Sequence, residues 1–250
     1  MAKRIEMVNY LDKLLASTIE DTSSNGLQVQ GTEHISRVGL AVDACLEAYR
    51  KAIALNCQML IVHHGLIWNG IKYVTGNNHQ HLKFLLSHDL NLYAAHLPLD
   101  MHPKYGNNIQ LAKLLHLNKI QPFGVYSKQK IGYNGLLPQP KNLAEIAKIY
   151  QKSIGGKYTM LPFGKDKIRT VGIISGGAAE DLGQAIEAQL DLYITGESLH
   201  YNYHQAKEAK INVLYLGHYE SEKLGVTALG NLLEKQFKVS CAFLDVPTIV

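Results

Sequence analysis

The residues best equipped for chemistry are histidines and acids placed just beyond short apolar runs. Gln58–Val62 leads into His63 and His64, Leu90–Ala95 into His96 and then Asp100, and Ile211–Leu216 into His218 and then Glu222. Neutral imidazole and carboxylate together suit Zn, Mn, Fe, Co or Ni. Two such ions ~3.5–4 Å apart polarise a substrate oxygen and bring the pKa of water toward neutrality. Neighbouring side chains on a strand point to opposite faces. His63 and His64 can therefore serve one site only near the strand end, where Gly65 opens a turn. His218 and Glu222 stand four apart, the spacing of neighbours on one helical face. Each piece also has a plainer reading. Strand-end histidines can bond to backbone carbonyls, Asp100 can cap a turn ahead of Pro103, and a helix dipole favours Glu222 in a first turn. The conjunction of three strand ends is a stronger signal than any one of them.

Other groups are less informative. His79, His81, His88, His102 and His116 read as surface or helix residues. Glu197, His200 and His204 could line the same crevice or simply pack as polar residues. Ser175-Gly176-Gly177 before a helix could cradle an anion, but neither a Walker A motif nor G-x-G-x-x-G is present. Trp68 reads as a packing residue more readily than as a platform for a base.

The elements that must position these groups alternate. Strands are expected at Arg37–Val42, Gln58–Val62, Leu90–Ala95, Ile131–Leu137, Lys167–Ile174, Leu190–Thr195, Ile211–Leu216 and Phe237–Phe243. Helices are expected at Met1–Leu15, Cys45–Leu55, His79–His88, Asn108–Leu117, Leu143–Ser153, Ala178–Gln189, Leu199–Ala209 and Glu222–Gln236. Such alternation gives an α/β fold with parallel strand pairs. Parallel sheets bind ligands beyond the carboxyl ends of their strands.

The pattern occurs twice. Val38–Leu66 lies on Val171–Leu199 without a gap, and Tyr93–Asp100 lies on Tyr215–Glu222, which sets His96 against His218 and Asp100 against Glu222. This predicts two similar α/β halves, residues 1–125 and 126–250, with the metal site in the crevice between them. The C-terminal segment is a candidate to pack back on the first half. The proline- and glycine-bearing stretch Gln121–Lys141 reads as the passage between halves.

Composition sets outer bounds. An apolar share of 46% and a charged share of 18% are those of a globular chain. The net charge of +4 permits contact with nucleotides and is compatible with nucleic acid without arguing for it. Three scattered cysteines, Cys45, Cys57 and Cys241, fit a reducing compartment. With neither a signal-peptide pattern nor a membrane-length apolar run, a cytoplasmic protein is expected.

Several segments together resemble the NIF-three-like family of dinuclear-metal proteins, whose bacterial members are known as GTP cyclohydrolase 1 type 2 homologues. They are SNGLQVQG at Ser24–Gly31, IVHHGLIW at Ile61–Trp68, AAHLPLD at Ala94–Asp100, GNN at Gly106–Asn108, TGE at Thr195–Glu197 and GHYESE at Gly217–Glu222. The resemblance implies two divalent ions per chain on His63, His64, Asp100, His218 and Glu222; beside them, His96 near Asp100 is a candidate to shuttle a proton or orient a ligand, and Glu197 a candidate supporting residue. It also implies a toroidal homohexamer and hydrolysis of GTP to formate and dihydroneopterin triphosphate. A broader phosphoesterase or nucleotide hydrolase, a metal-handling or regulatory ring protein, and a DNA-associated ring are the alternatives. No guanine-reading or triphosphate-binding set is evident in the sequence.

Overall fold

Apolar β-branched runs form the central strands, and helices cover them. The computed structural model describes residues 1–248. In chain order the elements are β1 (Ala2–Lys3), α1 (Arg4–Leu14), β2 (Gly26–Val29), β3 (His34–Ile35), β4 (Arg37–Asp43), α2 (Leu46–Ala54), β5 (Met59–His64), α3 (Gly76–Ser87), β6 (Asn91–Ala94) and the single turn α4 (Leu97–Asp100). Then follow α5 (Asn107–Leu114), β7 (Asn118–Tyr126), β8 (Gln129–Lys141), α6 (Leu143–Ile154), β9 (Thr159–Pro162), β10 (Ile168–Ile173), α7 (Leu182–Glu187), β11 (Leu192–Thr195), α8 (Asn202–Ala209), β12 (Asn212–Tyr215), α9 (His218–Phe237) and β13 (Ser240–Phe243).

The chain packs as two units, Met1–Leu99 with Gly225–Val246, and Asp100–Leu224 with the residues from Pro247. The division falls at 99/100 and 224/225 rather than at 125/126, for two reasons. Ile109, Leu111, Ala112 and Leu115 of α5 and its C-terminal end are buried with Leu137, Ile146 and Tyr150 in the second core. The C-terminal β13 pairs in parallel with β4 of the first unit.

In the first unit the sheet runs β13-β4-β5-β6-β2, parallel except for β2. Its core joins Tyr49 of α2, Leu60 and Val62 of β5, Leu85 of α3 and Leu92 of β6. In the second unit the sheet runs β7-β8-β10-β11-β12-β9, with β10, β11 and β12 parallel. The stretch Gln121–Lys141 is therefore mostly a β7–β8 hairpin within this unit. Pro122 is tolerated because β7 is an edge strand, where a missing N–H breaks no ladder. Ser127 and Lys128 turn the hairpin, both at positive φ, without the usual glycine or asparagine.

Both units contain the same motif: three parallel strands, with an antiparallel strand from earlier in the chain beside the third. Val38 pairs with Met59 and Val171 with Leu192, the same separation in each copy. Gly26–Val29 corresponds in turn to Thr159–Pro162.

A hydrogen-bond network repeats with the motif. Buried Asn91 accepts from Gly31 N at 2.8 Å and donates to the Thr32 and Gln58 carbonyls. Buried Asn212 accepts from Gly164 N at 3.1 Å and donates to the Lys165 and Asp191 carbonyls. Gln58 Oε1 accepts from the Ser36 and Arg37 amides, as Asp191 Oδ2 accepts from those of Arg169 and Thr170. The strand register also revises one equivalence. Asn91 sits opposite Met59 and Asn212 opposite Leu192, so His96 corresponds to Gly217 rather than to His218.

Replacing Asn91 by leucine strands the Gly31 amide and removes a second donor from the Thr32 and Gln58 carbonyls, which keep Arg4 and the main-chain amide of residue 91. Asn91→Leu should lower the unfolding free energy by about 2–4 kcal/mol, read from the urea midpoint at unchanged slope. Burial pushes the Asp191 carboxyl up, but bonds from Lys165 and from the Thr170 and Arg169 amides outweigh it and hold its pKa below the ordinary value. Its stabilisation is therefore present above the unfolded-state pKa and is lost as pH falls through the lower folded value. Between about pH 5 and pH 3, the melting temperature of the parent protein should fall more steeply than that of Asp191→Asn.

Candidate metal centre

β5 ends in His63 and His64, and their rings come together there, with centroids 4.8 Å apart. His63 is fully buried, and its Nδ1 lies 2.8 Å from the Ala95 carbonyl, just past β6. His64 Nδ1 lies 2.8 Å from Asp43 Oδ1 at the end of β4, where Asp43 and His64 are register partners. His96 Nδ1 lies 2.8 Å from Asp21 Oδ1, and its amide donates to Asn25 Oδ1. Burial pushes the Asp21 carboxyl up, but the bonds from His96 and Asn25 hold it below its ordinary value.

A carbonyl or carboxylate only accepts, so each Nδ1 donates, and the nitrogen that each ring would offer a cation is Nε2. One donor atom from each of His63, His64 and His96 lies within 4.8 Å of the others. His96, expected only as a supporting residue, thus joins the histidine pair as a potential ligand.

The loop after β5 is held by Gln28. Its Oε1 accepts from the Leu66 and Ile67 amides and its Nε2 donates to the Ser24 and Ile67 carbonyls. A Cβ on Gly65 would overlap the Gln28 side chain. Trp68 is exposed rather than packed into the core; its indole donates to the Gly65 carbonyl and its ring meets His96 edge-on at 4.9 Å.

In the second unit, α9 starts at His218, four residues earlier than the sequence suggests, which puts Glu222 one turn after His218 on the same face. His218 Nε2 lies 3.1 Å from Glu222 Oε2 and its Nδ1 lies 2.6 Å from Glu197 Oε1, just past β11. Burial pushes the His218 imidazole down, but bonds to Glu222 and Glu197 and their charges win and raise its pKa to about 9. Asp100 is buried, and its Oδ1 accepts from Asn107 Nδ2 at 2.9 Å and Ser175 Oγ at 3.1 Å. Ser175 N in turn donates to Asn108 Oδ1.

Two amides of the 175–177 loop, those of Ser175 and Gly176, are taken by Asn108 Oδ1 and Ser221 Oγ. Gly176 has φ +67, its amide donates to Ser221 Oγ, and a Cβ there would overlap Glu222 Oε1 and crowd His218 Nε2.

His200 and His204 are exposed. His81 and His88 bond to Tyr49 and to the Phe84 carbonyl, and His102 caps a turn through the Lys104 and Tyr105 amides. None of these five belongs to a metal-capable cluster among the described residues. In the sequence, Asp21 and Asp43 had no assigned role, Gln28, Asn107, Asn108 and Ser221 stood only within the resembling segments, and Ser175 was offered as part of an anion loop. Asp43 alone carried a usable signal, as an acid at the end of an apolar strand.

The family model described as Duf34/NIF3 (NGG1p interacting factor 3) matches residues 2–248. The chain belongs to the NIF3 family. Among curated relatives of this NIF3 chain, a Pyrococcus abyssi protein named GTP cyclohydrolase 1 type 2 homolog is 46% identical, covering 98% of this chain and 99% of its own. An Archaeoglobus fulgidus protein of the same name is 44% identical, covering 97% and 98%. Among solved structures, TTHA1606 from Thermus thermophilus superposes with a TM-score of 0.90 at 38% identity, covering 99% of this chain and all 100% of that one. Protein ybgI, described as of unknown function, gives 0.92 at 31% identity with coverages of 99% and 100%.

Because Gly176 combines positive φ with contact to Glu222, Gly176→Ala should cost about 1–3 kcal/mol of stability. Its NMR spectrum should show the His218 ring signals displaced and those of His96 unchanged.

Proposed function

We propose that this NIF3 chain is a metal-dependent hydrolase holding two divalent ions, with His63, His64, Asp100, His218 and Glu222 as ligands and a nucleotide-type small molecule as substrate. The observation that carries the reading is the triplet of imidazoles in the first unit, with one ring nitrogen of each within 4.8 Å of the others and each Nδ1 held by an oxygen. Tying the second ring nitrogen to an oxygen acceptor is what orients and strengthens a histidine ligand. The donor set is imidazole and carboxylate without thiolate, which suits Zn, Mn, Fe, Co or Ni.

The second unit supports the same reading. His218 Nε2 and Glu222 Oε2 face each other at 3.1 Å, an imidazole and a carboxylate placed so that a cation between them would meet both. Asp100 keeps an oriented carboxylate because Asn107 and Ser175 hold one of its oxygens. The chain passes from His96 to Asp100 through the single turn α4, so a donor of one cluster lies four residues from a donor of the other.

When bound, the ions supply Lewis acidity to a substrate oxygen and to an attacking water. The chain supplies the rest. Asp43, Asp21 and Glu197 fix the rings, and His96 is placed to hold or pass a proton at Nε2. Relatives bearing the GTP cyclohydrolase 1 type 2 homolog name make GTP the first substrate to test. A cytoplasmic ring-shaped homohexamer belongs to the same reading and rests on the family resemblance. No helix among the described residues is long and apolar enough to cross a membrane.

Protein purified without chelator or affinity tag should carry about two divalent ions per chain by elemental analysis, and a folded His64→Ala/Glu222→Ala variant should lose them. The parent should release formate from GTP, and the variant should not. No metal in the parent, with none taken up on titration, would overturn the centre. Two ions without turnover of GTP or any phosphoester would overturn the hydrolase assignment and leave metal handling.

A further inference from the structure

A second feature lies in the second unit alone. A cleft of about 640 Å³ opens beside Glu197, and its lining includes Gly156, Lys157, Gly196, Tyr215, Gly217 and Glu220. This volume is in the range of small-molecule sites. Tyr215 is only 5% exposed, and its buried hydroxyl has no hydrogen-bond partner among the described residues. A buried hydroxyl without a partner is costly and needs a reason. Glu220 is hemmed in by main chain, since a Cβ on either Gly156 or Gly217 would overlap it.

The internal repeat explains why the cleft is there. By the offset that lays Gly26–Val29 on Thr159–Pro162, Gly196 and Glu197 correspond to His63 and His64, and by the third-strand register Gly217 corresponds to His96 and Tyr215 to Ala94. Of the three positions that carry imidazoles in the first unit, those of His63 and His96 are glycine in the second, and that of His64 is Glu197.

We propose that this cleft seats the nucleoside part of the substrate, through a lactam-type base whose N–H edge faces Glu220 and whose ring carbonyl takes the Tyr215 hydroxyl or Lys157. The choice of a nucleoside rests on the proposed function; the cleft itself does not. Ionised carboxylates only accept, so the occupant must present donors to Glu220, while Lys157 and Tyr215 donate to an acceptor. Guanine offers adjacent N–H and C=O groups. Adenine turns a ring-nitrogen acceptor toward the carboxylate and leaves charges unpaired. Glu197 borders the cleft and holds His218, so the occupant lies next to the group that orients a proposed ligand.

The test is calorimetric titration of the protein as purified with guanosine, which has no phosphates to reach a metal, and with adenosine. Guanosine should bind at least about tenfold more tightly than adenosine. Tyr215→Phe should weaken it about fivefold and Glu220→Gln about tenfold. In tyrosine-labelled parent protein, guanosine should shift the Tyr215 ring signals, a readout that does not depend on the variants folding. No guanosine binding at about 1 mM, equal binding of adenosine, or unmoved Tyr215 signals would overturn the proposal. Metal content of the same samples separates the two readings. Two ions without guanosine binding overturns the cleft alone, and guanosine binding without metal overturns the hydrolase alone.

Discussion

An imidazole can give a lone pair to a cation only if its other nitrogen holds the proton, and that proton stays put only if an oxygen is fixed beside it. Much of this structure serves that requirement. The acceptor for His64 of β5 is Asp43, at the end of the neighbouring β4. The acceptor for His63 is the Ala95 carbonyl, just past β6 on the other side. His218 follows β12 and leans on Glu197, which follows β11. Parallel strands in register end at the same level, so each strand can anchor the side chain its neighbour delivers. In an antiparallel sheet those neighbours would end at opposite edges.

The repeat shows which parts are scaffold and which parts are free to diverge. Asn91 and Asn212 make the same three bonds, and Gln58 and Asp191 receive the same pair of amides, so the base of each motif is held by equivalent contacts. Those bonds satisfy main chain at the base of the sheet, and the Gly31 and Gly164 amides have the asparagine oxygens as their acceptors. The strand tips carry no such obligation. There the first copy places His63 and His64, and the second places Gly196 and Glu197.

The sequence made the buried parallel strands legible because β4, β5, β6, β10, β11 and β12 are near-continuous apolar runs, and it made the tips legible because polar residues interrupt those runs abruptly. It hid β2, where Gly-Leu-Gln-Val has little apolar run and a register shift falls at Gln28. It hid β9, whose Thr-Met-Leu-Pro ends in a residue normally read as a breaker. The one-residue difference between the His96 and His218 equivalences followed from matching chemical types rather than ladder partners. Asp21 was invisible for another reason: it lies in an irregular segment after α1, and only the folded chain brings it 2.8 Å from His96.

Divergence at the tips also bears on how a repeat acquires a site. Filling one set of strand ends with imidazoles produces donors but little room, since rings at 4.8–5.5 Å occupy the space they face. Emptying the other set to Gly196 and Gly217 produces room but few donors. A chain with two identical copies would have either crowding twice or vacancy twice. Two copies of one scaffold, held by the same asparagine network and altered differently at their tips, leave the second unit with both the proposed ligands Asp100, His218 and Glu222 and the cleft proposed for an organic ligand. Glu197 joins the two, with one oxygen on His218 and its side chain bordering the cleft.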